Sequence, residues 1–273
     1  MNDVAFSKMT GLGNDFIFID NTNGSYNSTL TDLIAYIPKL CKRGLSIGAD
    51  GLVILEQSKD ADFSWKFFNS DGSIAEMCGN AARCAAKFAY LNGIAGKQMS
   101  FETLAGLIRA EIIDNLLVKA ELTKPNNITI DSSINIEGNN FYISSINSGV
   151  PHVIIFVNDL ENINVQHLGS KIRYHEYFSP QGTNVNFCKV LNNNSIEIRT
   201  YERGVESETL ACGTGALAAA VLSKEKKLVN YPVNVKTRGG GSIKISCENK
   251  GYYIEAEARL VYKGIFNSEA FIY

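Results

Sequence analysis

The chain has 273 residues, 26 Lys and Arg against 28 Asp and Glu, and a pI of about 6.0. A net charge of −2 lacks the basic excess that a broad nucleic-acid or anionic-membrane surface needs. Hydrophobic residues make up 45% and charged residues 20%, which excludes a disordered chain, and no run approaches the ~20 apolar residues of a transmembrane helix.

In chain order, strands are predicted over 16–20, 51–56, 63–69, 107–113 and 116–122, all rich in Ile, Val and aromatics. A weak helix over 31–41 is interrupted by Pro38, and a strong one over 80–91, NAARCAAKFAYL, is stopped by Asn92-Gly93. The polar stretch 123–127, TKPNN, reads as a linker. Strands follow over 141–147, 152–157, 183–189 and 195–201, then a second Ala-rich helix over 214–226. Strands over 233–236, 241–247, 252–258 and 260–262 close the chain, many joined by Gly or Asn turns of antiparallel hairpins. The fold class is α/β mixed with a strand majority.

The two strong helices begin alike. Met77-Cys78-Gly79-Asn80-Ala81 enters the first and Ala211-Cys212-Gly213-Thr214-Gly215 the second, 134 residues apart and close to half the chain. This spacing predicts a duplication: two lobes, each a strand layer around a central helix.

A cysteine just before a helix lies among unpartnered N–H groups at the positive end of the helix dipole, which favours its thiolate. The same N–H groups can hold a carboxylate. Two such sites suit inversion at an acidic carbon, one thiolate removing an α-proton while the opposite thiol delivers one. The carboxylate charge of the planar intermediate would be stabilised by the helix-start amides, and no cofactor is then obligatory. Cys41, Cys84, Cys188 and Cys247 lie within elements without polar company and read as core residues. No CxxC pair exists and the three histidines are not clustered with cysteines, so no metal site is expected.

These residues resemble the diaminopimelate epimerase family. The stretch 6–16, FSKMTGLGNDF, is similar to its N-terminal signature. Residues 69–73, NSDGS, leading to 77–84, MCGNAARC, resemble its first active-site signature. Residues 199–205, RTYERGV, then Glu208-Thr209 and 211–216, ACGTGA, resemble the second, with Pro151-His152 and 182–187, GTNVNF, between them. The resemblance spans nearly the whole chain. It implies two pseudo-symmetric lobes, each a mostly antiparallel sheet or partial barrel around a central helix, with the site in the cleft between them. The lobes would be 1–122, joined by a returning tail from about 260 to 273, and 123–259.

By the same resemblance Cys78 and Cys212 are the acid/base pair that interconverts LL- and meso-diaminopimelate without a cofactor, in lysine and peptidoglycan biosynthesis. His152 would assist Cys78 by trading a proton with it, and Glu202 would assist Cys212. Amides at Gly79, Asn80, Gly213 and Thr214 would hold the α-carboxylate and Asn14 the α-amine. Asn69, Asn184 and Arg203 would bind the second carboxylate, and backbone near Glu202 and Arg203 the second amine. The partner is a small amino acid with two carboxylates, and the resemblance implies a homodimer. The start of the chain, Met1-Asn2-Asp3-Val4, lacks the basic, apolar pattern of a secretory signal, so a cytoplasmic location is expected. Gly51 and Val150 stand where the family often has a Gln and an Asn that contact substrate, and Ala81 where a Gly is frequent. Two alternatives are a proline-type racemase on the same scaffold, which would not need Arg203, and a redox switch in which Cys78 and Cys212 form a disulfide.

Overall fold

The computed structural model describes residues 3–271; Met1 and Asn2 of the chain start, and the last two residues of the expected returning tail, lie outside them. The chain forms two compact units, Met1–Glu121 with Ala256–Tyr273, and Leu122–Glu255.

In the first unit, β1 (Val4–Gly11) and β2 (Asn14–Asn21) form a hairpin, followed by α1 (Asn27–Ala35) and α2 (Ile37–Leu40). Next come β3 (Gly51–Glu56), β4 (Phe63–Asn69), α3 (Gly79–Leu91), β5 (Gln98–Thr103), β6 (Gly106–Ile112) and β7 (Leu117–Leu122). The sheet runs β1-β2-β3-β4-β5-β6-β7, with β2/β3 and β4/β5 parallel and the other neighbours antiparallel. β3 is a continuous apolar run buried over five of its six residues, as a central strand covered on both faces must be. α3 buries eleven of its thirteen residues, and its alanines bring the helix close to β1, β2 and β6. It ends where Asn92 donates to Phe88 O at 2.8 Å and Gly93 takes φ 71°.

The second unit has β8 (Asn126–Ile136), β9 (Asn139–Asn147), β10 (Pro151–Phe156), α4 (Val165–Arg173), β11 (Asn184–Asn192) and β12 (Ser195–Glu202). The short β13 (Ser207–Thr209), α5 (Gly213–Glu225), β14 (Val233–Lys236), β15 (Ser242–Glu248) and β16 (Gly251–Glu257) complete it. Its sheet runs β8-β9-β10-β11-β12-β14-β15-β16, with β10/β11 and β12/β14 parallel and the rest antiparallel. The last strand of the chain, β17 (Arg259–Phe266), pairs antiparallel with β1.

With β17 at its head, the first sheet has the same succession of directions as the second: antiparallel, antiparallel, parallel, antiparallel, parallel, antiparallel, antiparallel. α3 and α5 occupy the same slot, each lying in the chain between the fifth strand of its sheet and the sixth. The two similar sheet-rich lobes are therefore a duplication in which the first unit takes one strand from the chain end.

Both strong helices start one residue earlier than predicted, at the glycine after the cysteine. The predicted 31–41 helix is two helices that meet at Tyr36; Pro38 lies in the first turn of α2, where its missing N–H costs nothing. β1, β5, β8, β13 and α4 are absent from the sequence reading. β8 opens at Asn126, inside the expected linker, and its first six residues are exposed, so hydrogen bonding to β9 rather than burial makes it a strand. α4 is capped by Asn164, whose side chain accepts from His167 N at 3.1 Å. Its Gly169 lies against the Tyr201 side chain, where a Cβ would be 2.5 Å from the Tyr201 Cβ and 2.6 Å from its ring. No helix among the described residues is long and apolar enough to cross a membrane.

Candidate active site

Cys78 is the N-cap of α3, in extended conformation at φ −147°, and Ala82 N closes the first helical bond to its carbonyl at 2.8 Å. The N–H groups of Gly79 and Asn80 therefore have no carbonyl one turn back. The Asn80 side chain donates to Asn14 Oδ1 at 2.6 Å, and Asn14 Nδ2 donates to Asp50 Oδ2 at 2.9 Å. Behind them lies Arg83, wholly buried, donating to Gly79 O at 2.9 Å and Asn80 Oδ1 at 2.7 Å. This cation fixes which way the Asn80 amide points, and Asp50 does the same for Asn14.

Arg43 bridges Asp50 and Asp15, and Lys8 pairs with Asp15 at 2.8 Å. Burial would raise the Asp15 pKa, but hydrogen bonds from Arg43 and Lys8 outweigh it and hold the carboxyl below its usual range. Asn69, exposed at the end of β4, donates to Ser73 Oγ at 3.0 Å. Gly51 sits opposite it on β3, where a Cβ would lie 2.5 Å from Phe68 O and 2.8 Å from the Phe67 ring. β3 and β4 approach too closely there for any side chain, so the missing glutamine follows from the backbone path.

Cys212 is the N-cap of α5, again extended at φ −130°. Its sulfur accepts from Gly215 N at 3.4 Å and lies 3.4 Å from Thr214 Oγ1. Thr214 Oγ1 is also 2.9 Å from His152 Nε2, and Thr214 O accepts from Ser148 Oγ at 2.9 Å. Asn184 donates to Pro151 O at 3.0 Å and accepts from Arg203 N at 2.9 Å, while Arg203 Nη1 donates to Gln181 O at 3.1 Å. Glu202 ends β12 and Arg203 opens a turn stiffened by Glu206, whose carboxyl accepts from Gly204 N at 2.9 Å, Tyr201 OH at 3.2 Å and Arg173 Nε at 3.3 Å.

Four elements, β10, β11, β12 and α5, thus gather His152, Asn184, Glu202, Arg203, Cys212, Gly213 and Thr214. The first unit gathers Asn14, Cys78, Gly79 and Asn80 at the start of α3. Sequence reasoning missed Asp50, Arg83 and Asn186. Asn186 alone left a signal: two positions after Asn184 on a strand, it faces the same side. The core reading of Cys41, Cys84 and Cys188 holds, since all three are buried and burial pushes each thiol up to about 12. Cys247 is only partly buried, and all six cysteines are free.

Burial, reinforced by the Arg203 charge, lowers the His152 pKa from 6.5 to about 3. The unfolded chain takes up a proton at this residue as pH falls below 6.5 and the folded one does not, so stability declines with acidification down to about pH 3. We expect urea melts to lose roughly 2–5 kcal/mol across that window through this group. His152→Gln should flatten the slope; an unchanged slope would show that His152 titrates in the folded protein.

Two lobes of one topology, each opening its buried helix with a cysteine, make up the two-lobed fold expected from the sequence. Solved structures share this fold. A phenazine biosynthesis protein of the PhzF family from Bacillus anthracis is 14% identical with a TM-score of 0.71, covering 98% of this chain and all of that one. A probable proline racemase from Agrobacterium radiobacter K84 is 13% identical with a TM-score of 0.71, covering 97% and 93%.

Sequence similarity is more specific. The diaminopimelate epimerase family model matches residues 6–128 and 144–261. The diaminopimelate epimerase of Aquifex aeolicus is 44% identical over 278 residues, covering 98% of this chain and 99% of the relative. That of Archaeoglobus fulgidus is 39% identical over 273 residues, covering 96% of each. The chain belongs to the diaminopimelate epimerase family, and is an isomerase.

Proposed function

We propose that this protein epimerises LL-2,6-diaminopimelate to meso-diaminopimelate by two-thiol chemistry without a cofactor, supplying lysine and peptidoglycan biosynthesis. The observation that carries the reading is the matched pair of extended N-cap cysteines, Cys78 and Cys212, in equivalent slots of duplicated lobes. One thiolate removes the α-proton and the other thiol protonates the planar intermediate from the opposite face. Amides of Gly79, Asn80, Gly213 and Thr214 hold the α-carboxylate, whose charge grows in the transition state. Asn14 takes the α-amine, its orientation set by Asp50 and Asn80. Asn69, Asn184 and Arg203 take the distal carboxylate, with Glu202 and neighbouring backbone at the distal amine. His152 and Glu202 assist the thiols. The protein acts in the cytoplasm as a homodimer, with no nucleic-acid or membrane partner.

Whole-length identity of 44% to a diaminopimelate epimerase favours this substrate over proline, which has no second carboxylate for Arg203. The test is α-hydrogen exchange in deuterated water. Diaminopimelate should exchange and epimerise while proline stays unlabelled; exchange with proline alone would overturn the assignment.

A further inference from the structure

We propose that Asn186 is a positioning residue that fixes the tautomer of His152 and thereby makes the Thr214 hydroxyl a hydrogen-bond donor to Cys212.

Asn186 is wholly buried on β11, and both ends of its amide are engaged. Nδ2 lies 3.1 Å from Val153 O and 3.1 Å from His152 Nδ1, while Oδ1 lies 2.8 Å from Thr200 Oγ1. A backbone carbonyl can only accept, so the nitrogen must face Val153, and the other amide hydrogen then points at His152 Nδ1. Thr200, directly opposite Asn186 across the β11–β12 ladder, donates to Oδ1 and completes the partners of the amide.

Each following step has one solution. Nδ1 accepts, so the ring proton of neutral His152 is on Nε2, 2.9 Å from Thr214 Oγ1. Thr214 oxygen receives that proton's hydrogen bond, and its own hydrogen is left to point at the Cys212 sulfur 3.4 Å away. Gly215 N–H reaches the same sulfur at 3.4 Å. Two donors on one sulfur favour the thiolate over the thiol. A protonated imidazole would put Nδ1–H against the Asn186 amide hydrogens, so His152 is a fixed donor and does not shuttle protons.

Gly215 belongs to the same device. A Cβ there would lie 2.5 Å from Asn186 Oδ1, so only glycine lets α5 start with Asn186 in place. By contact, then, His152 serves Cys212, through Thr214. The catalytic meaning of this relay rests on Cys212 being an acting thiol, as proposed above. The tests read ring tautomer and thiol reactivity rather than turnover, so failure of either idea is seen separately.

His167→Gln with His175→Gln leaves His152 as the only histidine. Side-chain 15N shifts of that protein should show a single neutral Nε2–H tautomer, and Asn186→Leu should yield a mixture. An Nδ1–H ring in the parent, or an unchanged ring in Asn186→Leu, would overturn the proposal.

The second readout is alkylation by iodoacetamide near neutral pH, followed peptide by peptide. Losing the hydroxyl donor leaves about tenfold less thiolate, partly offset because a more basic thiolate is the stronger nucleophile. Cys212 in Thr214→Val should therefore react about threefold more slowly than in the parent. Thr214→Ser should restore the parent rate, and Cys78 should be unaffected throughout. An unchanged Cys212 rate in Thr214→Val, or a serine variant as slow as the valine one, contradicts the relay. If Asn186→Leu does not fold, the parent tautomer and the Thr214 pair still decide the matter.

Discussion

Cys78→Ala and Cys212→Ala should each lower epimerisation of diaminopimelate by about 10³-fold or more, the scale on which removal of a positioned acid or base is felt. The loss should fall on kcat far more than on KM, because in the proposed site the carboxylate is held by backbone amides that neither substitution removes. Both variants should fold normally. Each cysteine is an N-cap, and Ala there costs at most about 1–2 kcal/mol of a stability near 5–15 kcal/mol. Serine should not rescue either position, since an alcohol gives up its proton far less readily than a thiol. Near-normal turnover by either alanine variant, checked by chiral separation of the product, would remove that cysteine from the reaction.

The largest effect on stability is expected at Arg199 and Glu208. Arg199, almost completely buried on β12, donates to both carboxylate oxygens of Glu208 at 2.7 and 2.8 Å. Its Nη1 also reaches Leu160 O at 3.0 Å, Glu161 O at 3.3 Å and Ile163 O at 3.1 Å. One guanidinium thus ties β12 to β13 and to the segment that leads into α4. Removing the carboxylate leaves a buried cation without its counter-charge, so Glu208→Ala should cost about 2–4 kcal/mol in urea denaturation. Arg199→Met should cost at least as much, because it strands three carbonyls worth about 1 kcal/mol each when left unpaired. Glu161→Ala removes only the exposed Arg238 pair and should stay within about 0.5 kcal/mol. Equal effects at Glu161 and Glu208 would mean that Arg199 is no hub.

Legibility in the sequence followed local pattern. The apolar runs that became β3 and β4, and the alanine-rich helices α3 and α5, carry their burial in their own composition. β1 was obscured by Ser7 and Lys8, both buried, because Lys8 is neutralised by Asp15, which lies across the β1–β2 hairpin. β8 was obscured because it opens inside the polar stretch 123–127 and leaves even Ile128 and Ile130 exposed. The borrowing of β17 by the first sheet could not be read locally, since its pairing with β1 joins the two ends of the chain.

The site divides the same way. The helix-start cysteines announce themselves through Cys-Gly followed by a polar residue and an alanine-rich run, a pattern that begins within five positions. Residues around them depend on strand register: Asn186 falls opposite Thr200, and Arg199 lies where Glu208 folds back beside it. Gly51 looked like a lost substrate contact and turns out to lie where two strands leave no room for a side chain.

The most direct measurement of two opposed thiols follows the hydrogen itself. LL-diaminopimelate is converted in deuterated water, and substrate and product are weighed by mass spectrometry at low conversion. A thiol carries one hydrogen, so the abstracting cysteine can return only substrate protium while the other supplies solvent deuterium. The meso product should therefore be fully deuterated at the inverted carbon and the recovered LL isomer unlabelled. Product that retains protium, or LL substrate labelled as fast as product forms, would show a single base serving both faces and contradict the account.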